Sequence, residues 1–234
     1  MFTRPFIGAL LLWFLLELPL VTDGMTWVWY GAAVVCAAVF AWYSAQRIRV
    51  AILGALCALL AILFLTMVSG SALYQWTAGV AAVMFGALLF AAERHHATLL
   101  ALVSLCEVAG FYFLVLFATL IMQMPTWVAM LAMVSVSSVL FFTSLSVTLA
   151  LSVGMEMRLM LFSAVVGLVS AELFVALSRL PFNMVSIDFL MFIIYYGAWD
   201  IVARYFSLRF TKRSLALHAA FIMVAFLGVF LSSR

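Results

Sequence analysis

Residues 97–122 read ATLLALVSLCEVAGFYFLVLFATLIM, a long apolar run broken by one charged side chain, Glu107. About 20 residues at 1.5 Å rise cross the ~30 Å hydrocarbon layer of a bilayer, so this run is a transmembrane helix with an acid near its middle. The same pattern continues on both sides. Hydrophobic residues make up 70% of the 234-residue chain and mean hydropathy is +1.34, far above the roughly 45–50% apolar content of soluble domains. The expected fold is an all-α, polytopic transmembrane helical bundle.

Charged and turn-forming residues punctuate the chain into nine expected spans, near 5–21, 25–45, 50–68, 73–92, 97–122, 126–152, 158–178, 185–205 and 214–231. Only SGSALYQ separates the third from the fourth, which makes that pair a tight helical hairpin. No soluble domain or long linker fits between spans, so residues 1–234 are expected to form one transmembrane domain. The opening MFTRPFIGALLLWFLLELPLVTDG has the cation and apolar stretch of a signal peptide. Glu17 interrupts that stretch and no Ala-x-Ala pattern follows, so it is read as an uncleaved first span.

The basic residues report orientation. Arg4, Arg47, Arg49, Arg94, Arg158, Arg204, Arg209, Lys212 and Arg213 fall on one side of the nine-span frame, and Arg179 and Arg234 on the other. Cytoplasmic loops carry the Lys and Arg excess, which places the N-terminus inside and the C-terminus outside. The formal charge of +3 is dispersed over short loops rather than gathered on a basic face, which argues against a nucleic-acid partner. Trp27, Trp29, Tyr30, Trp42, Tyr43, Trp76, Trp127 and Tyr205 lie near span ends, where amphipathic rings favour the interface. Trp13 and Trp199 sit deeper and do not fit that rule. Small residues at four-residue spacing, Ser163, Gly167 and Ala171, and Gly79 with Gly86 two turns apart, mark faces where helix backbones can approach closely.

Cys36, Cys57 and Cys106 all fall inside spans without metal-ligand spacing and read as buried structural thiols. His95 and His96 belong to a loop, and His218 stands alone near the start of the ninth span. No pair of histidines faces across the bundle as haem would require, and no P-loop, dinucleotide fingerprint, nucleophile elbow or zinc-protease motif is present. No cofactor or metal is expected.

The intramembrane acids carry the functional expectations, because ionisable groups in hydrocarbon cost about 2.5–3.5 kcal/mol on insertion scales. Glu107 has no cation at its depth, so the uncharged acid is the cheaper form to bury. Its expected partners are the hydroxyls of the sixth span, where Ser137, Ser144 and Thr148 share one helical face with Ser152 at its edge. A proton or ion relay and a neutral acid joining two helices both fit. In the seventh span Glu172 precedes Arg179 by two turns on one face, and a charge pair is expected between them or between Glu172 and the first or eighth span. Pro181 stops that helix, Ser186 is expected to cap the eighth, and Asp188 then falls in its first turn. Glu17, Glu172, Arg179 and Asp188 thus share one outer layer. Asp200 and Arg204, four apart with the acid first, form an expected structural pair on the inner side.

The segment from Glu172 to Arg213, with AELFVALSRLPFN followed by FIIYYGAWDIVARYFSLRFTKR, resembles a family of polytopic bacterial membrane proteins without an assigned function. The resemblance covers mainly the last third of the chain and implies a prokaryotic inner membrane. The residues favour a carrier or scaffold without catalytic chemistry of its own. A membrane-embedded enzyme acting on a lipid-linked substrate at the outer face, and an accessory subunit of a larger membrane complex, are the alternatives. The partners expected are the bilayer itself, a lipid or small-molecule ligand, and other membrane proteins.

Overall fold

A computed structural model describes residues 3–21, 26–45, 47–67, 71–94, 96–149, 153–180, 182–208 and 211–232. Among these, nine helices follow one another without a strand: α1 (Thr3–Val21), α2 (Thr26–Ala45), α3 (Ile48–Met67), α4 (Ser71–Arg94), α5 (Ala97–Leu120), α6 (Thr126–Leu149), α7 (Val153–Ser178), α8 (Met184–Phe206) and α9 (Lys212–Ser232). Seven of them, α2 to α8, are long and apolar enough to cross a membrane, and α9 contains a shorter apolar stretch, Leu215–Leu231. Large apolar side chains face outward along the bundle, among them Phe14, Val83, Met157 and Val224. Apolar exposure of this extent is what a bilayer selects and water does not.

The chain divides into two compact units, Met1–Glu107 and Val108–Arg234, with the division inside α5. In the first, α2 and α3 meet through small residues. Ala33, Ala37 and Ala41 bury one stripe of α2 against Gly54 of α3, where an added Cβ would lie 2.7 Å from Ala41 Cβ and 3.1 Å from the Ala37 carbonyl oxygen. In lipid, packing of this kind replaces hydrophobic exclusion as the force that holds helices together.

In the second unit α7 packs closely on α6 at Gly167, whose missing Cβ would collide with Ser138 Oγ and sit 2.6 Å from the Val134 carbonyl oxygen. Leu159, Ser163, Ser170, Ala171, Phe174 and Leu177 are buried on the same side of α7. That helix begins at Val153, five residues before the charged boundary expected at 158. Glu156 lies in its first turn, where the helix dipole favours a negative charge and does not interrupt the helix.

The start of α8 also corrects an expectation. Asn183, not Ser186, is the N-cap: its backbone is extended (φ −72°, ψ 158°) and its side chain accepts the Ser186 N–H at 2.8 Å. Asn caps as well as Ser and stands three residues ahead of the amide it accepts. Asp188 therefore lies in the second turn of α8 and not the first. Pro181 and Ser152 lie outside the described residues, as do His95, Arg209 and Arg234.

Candidate functional site

The first unit gathers a polar group where α1 ends and α4 begins. Pro19 lies in the last turns of α1 and has no N–H for the carbonyl four residues back, which loosens the helix there. Tyr74 of α4 donates its hydroxyl to the Leu16 carbonyl at 2.6 Å and lies 3.2 Å from the hydroxyl of Tyr30 on α2. Trp13 Nε1 donates to Glu17 Oε1 at 3.1 Å. The depth of Trp13, anomalous for an interfacial tryptophan, is thereby explained: its indole N–H has a carboxylate one turn along the same helix.

Glu107 is 2% exposed, and neither carboxylate oxygen has a hydrogen-bond partner among the described residues. Cys57 of α3 and the adjacent Cys106 lie within its electrostatic range. The expected hydroxyl partners do not serve it. They are engaged elsewhere, because a hydroxyl inside a helix can bond the carbonyl three or four residues back without any tertiary partner. Ser144 bonds the Phe141 carbonyl at 3.3 Å and Thr148 the Ser144 carbonyl at 2.6 Å, while Ser137 donates to Tyr112 at 3.4 Å.

Those hydroxyls belong instead to a polar column inside the second unit. Tyr112, on the second half of α5, is fully buried, and its hydroxyl lies 3.0 Å from Ser170 Oγ of α7 as well as meeting Ser137 of α6. Tyr195 of α8 meets the Tyr112 ring edge-on at 5.9 Å and Phe141 at 5.5 Å, a favoured aromatic geometry. One turn further along α8, Trp199 Nε1 donates to Ser144 Oγ at 3.0 Å. Asp188, Tyr195 and Trp199 are spaced by seven and four residues and so share a face of α8. Asp188 is in electrostatic range of Tyr112, and its Oδ1 has no hydrogen-bond partner among the described residues. Ser137, Ser144 and Ser170 are each at most 5% exposed. Tyr112, Tyr195 and these serines are buried, whereas Asp188 and Trp199 are half-buried.

Near the far end of α8, Asp200 Oδ2 takes Arg204 Nε at 2.5 Å and His218 Nε2 of α9 at 2.6 Å. The expected pair is present and gains a third member. His218 is not alone, because α9 packs on α8 and brings it to the same carboxylate. Among the described residues no three His, Cys, Asp or Glu side chains are placed to hold a metal ion.

Glu172 does not form the expected charge pair. It and Arg179 are both exposed, and among the described residues neither side chain has a hydrogen bond or ion pair. Counting 100° per residue, Glu172 lies roughly opposite the buried stripe centred on Ser163, Gly167 and Ser170, and Arg179 falls just past the last residue of α7. The face expected to be common to Glu172 and Arg179 ends with the helix at Ser178, and which face Glu172 takes depends on how α7 packs. Of the column's core, the sequence marks Trp199 by its depth alone and does not single out Tyr112, Ser170 or Tyr195. Aromatic rings in apolar runs look like packing residues until a hydroxyl or indole N–H is seen with its partner. The recurrence of Ser163 and Ser170 at seven residues, on the Gly167 face, was the available signal.

The protein is thus an integral, multi-pass helical membrane protein with polar groups in both of its units. No family model, curated protein or solved structure matches the chain.

Proposed function

We propose that the protein is a membrane-embedded carrier or scaffold without catalytic chemistry of its own, resident in a prokaryotic inner membrane with its N-terminus inside. The membrane assignment follows the resemblance of residues 172–213 to bacterial inner-membrane proteins, and the orientation follows the nine-to-two division of cations. The observation that carries the reading is the burial of the column's core: Tyr112, Ser137 and Ser170 are at most 5% exposed, and both serines meet the Tyr112 hydroxyl. A catalytic site in a membrane has to admit substrate to its polar groups, whereas a scaffold uses such groups to fix helix positions.

The test is cysteine accessibility in a Cys-free background. Ser137→Cys and Ser170→Cys are expected to resist a membrane-impermeant thiol reagent, while Gln123→Cys, in the exposed α5–α6 turn, reacts. Rapid modification of Ser137→Cys or Ser170→Cys in the folded protein would mean that the column opens to water and would overturn the scaffold reading.

A second reading, an accessory subunit of a larger membrane complex, is favoured by Glu172. Its carboxylate is exposed on an otherwise apolar face formed by Val165, Leu168 and Val169. A partner helix with a cation at the same depth would satisfy it.

A further inference from the structure

Two apolar grooves run along the outward side of the first unit and join. One, of about 610 Å³, lies between α1 and α4, lined by Phe6, Leu10 and Trp13 on one wall and Ala82, Gly86 and Phe90 on the other. The second, of about 560 Å³, continues along α4 past Gln75, Trp76 and Val80. Gly79 and Val83 line both, so the two make one trough. Each is within the roughly 300–1,000 Å³ range of ligand pockets. From Trp76 to Phe90 the trough follows α4 for about 21 Å, taking 1.5 Å per residue, which is the length of an extended hydrocarbon chain rather than of a compact ligand.

The trough is not capped by hydrocarbon at both ends. At the α4 N-terminal end stand Gln75, Trp76 and the Glu17–Trp13 pair, with Tyr74 in electrostatic range of Glu17. Trp13 links the two features: its ring lines the apolar wall and its N–H holds Glu17 Oε1. The second oxygen, Oε2, accepts no hydrogen bond among the described residues. Among the described residues no arginine or lysine forms an ion pair with Glu17, so this oxygen is open to a donor from a ligand.

We propose that the trough binds the acyl chain of a phospholipid whose head carries a primary ammonium, and that Glu17 recognises that ammonium. Chain and head are read by different parts of the site. Ala82, Val83 and Gly86 accept any straight alkyl chain, while the carboxylate selects an amine that can donate hydrogen bonds, which a quaternary ammonium or a glycerol head cannot match in charge and donors together. Gly79 keeps the passage open: an added Cβ there meets nothing within 4 Å, so the glycine leaves space that no protein atom fills. This site lies wholly in the first unit and does not depend on the role of the polar column.

The experiment uses the full chain in phosphatidylcholine vesicles doped with a photoactivatable lipid carrying a diazirine in its acyl chain. Three head groups are compared: phosphatidylethanolamine, phosphatidylcholine and phosphatidylglycerol. The wild type is expected to crosslink the ethanolamine lipid within residues 6–13 and 79–90, at least about tenfold above the other two, a preference equivalent to about 1.4 kcal/mol. Gly79→Leu is expected to abolish that labelling while unfolding at the wild-type temperature, since its side chain enters open space. Should Gly79→Leu fail to fold, Val83→Trp, at a position 71% exposed, fills the same trough from the surface. Glu17→Gln keeps an acceptor for Trp13 and is expected to equalise the three lipids without losing acyl labelling. Unchanged labelling in folded Gly79→Leu or Val83→Trp would overturn the trough assignment. Equal labelling by all three lipids in the wild type would overturn the role of Glu17.

Discussion

Replacing Gly167 by alanine tests what holds α6 to α7. The added methyl would collide with Ser138 Oγ and stand 2.6 Å from the carbonyl oxygen of Val134. A serine side chain can rotate away, but a helical carbonyl cannot. Restoring an ordinary contact of 3.4 Å requires the two helices to separate locally by about 0.8 Å, and a radial gap of 0.5–1 Å forfeits roughly a quarter to a half of each dispersion contact across it. Overpacking of a tight interface typically costs about 1–3 kcal/mol. Against this, Gly→Ala inside a helix returns roughly 0.5–1 kcal/mol of backbone entropy. The net expectation for Gly167→Ala is a loss of about 1–2 kcal/mol, or a fall of roughly 2–8 °C in thermal midpoint for a chain of this length. Gly79→Ala, with open space at its Cβ, receives only the entropic gain and should be neutral or slightly stabilising. Both are measured by thermal unfolding in the same detergent. If Gly167→Ala unfolds at or above the midpoint of Gly79→Ala, close backbone approach is not what binds α7 to α6.

Three further outcomes are expected. Glu107→Gln should change stability by no more than about 1 kcal/mol, because neither carboxylate oxygen is bonded, whereas Glu107→Lys should prevent folding by burying a charge with no partner; equal losses in detergent unfolding would show that the acid was ionised and paired. If Glu172 meets a cation on a partner helix, Glu172→Asp should preserve and Glu172→Leu should dissociate the complex on native gels of solubilised membranes, and an unchanged complex with Leu removes the accessory-subunit reading. Reporter fusions after Arg213 and after Ser232 should report opposite sides of the membrane, the first inside; the same side for both would remove α9 as a span.

The helices were legible because their signal is one-dimensional. A run of apolar residues names a span without reference to its neighbours, and turn residues bound it. The bounds erred where charge was read as an ending: α7 includes both Glu156 and Arg158, because a helix can project beyond the hydrocarbon with its charges in the head-group layer. Side-chain partners were legible only within a single helix. Asp200 with Arg204 follows from four-residue spacing, but His218 on the same carboxylate needs α9 to pack on α8. Trp13 and Trp199 were recognised as too deep for an interface, and each proves to donate its indole N–H inside its unit, to Glu17 and to Ser144. The signal was correct and its cause lay in three dimensions.

The intramembrane acids show why composition alone cannot assign function here. Glu107, Glu172 and Asp200 are all carboxylic acids in similar apolar contexts, yet among the described residues one is sealed without a hydrogen-bond partner, one is exposed, and one meets Arg204 and His218. Depth does not separate them, since insertion scales treat each as a comparable cost. The azimuth of each residue about its own helix does. On α7 the close-packing face is set by Gly167, and Glu172, five residues on, is turned by about 140° away from it, so the glycine that admits α6 also directs the acid outward. On α8 the stripe Asp188, Tyr195 and Trp199 is turned inward by the same kind of constraint, because Tyr195 must pack edge-on against Phe141. Close-packing residues therefore decide which polar groups become interior glue and which are left for a lipid or a partner to satisfy.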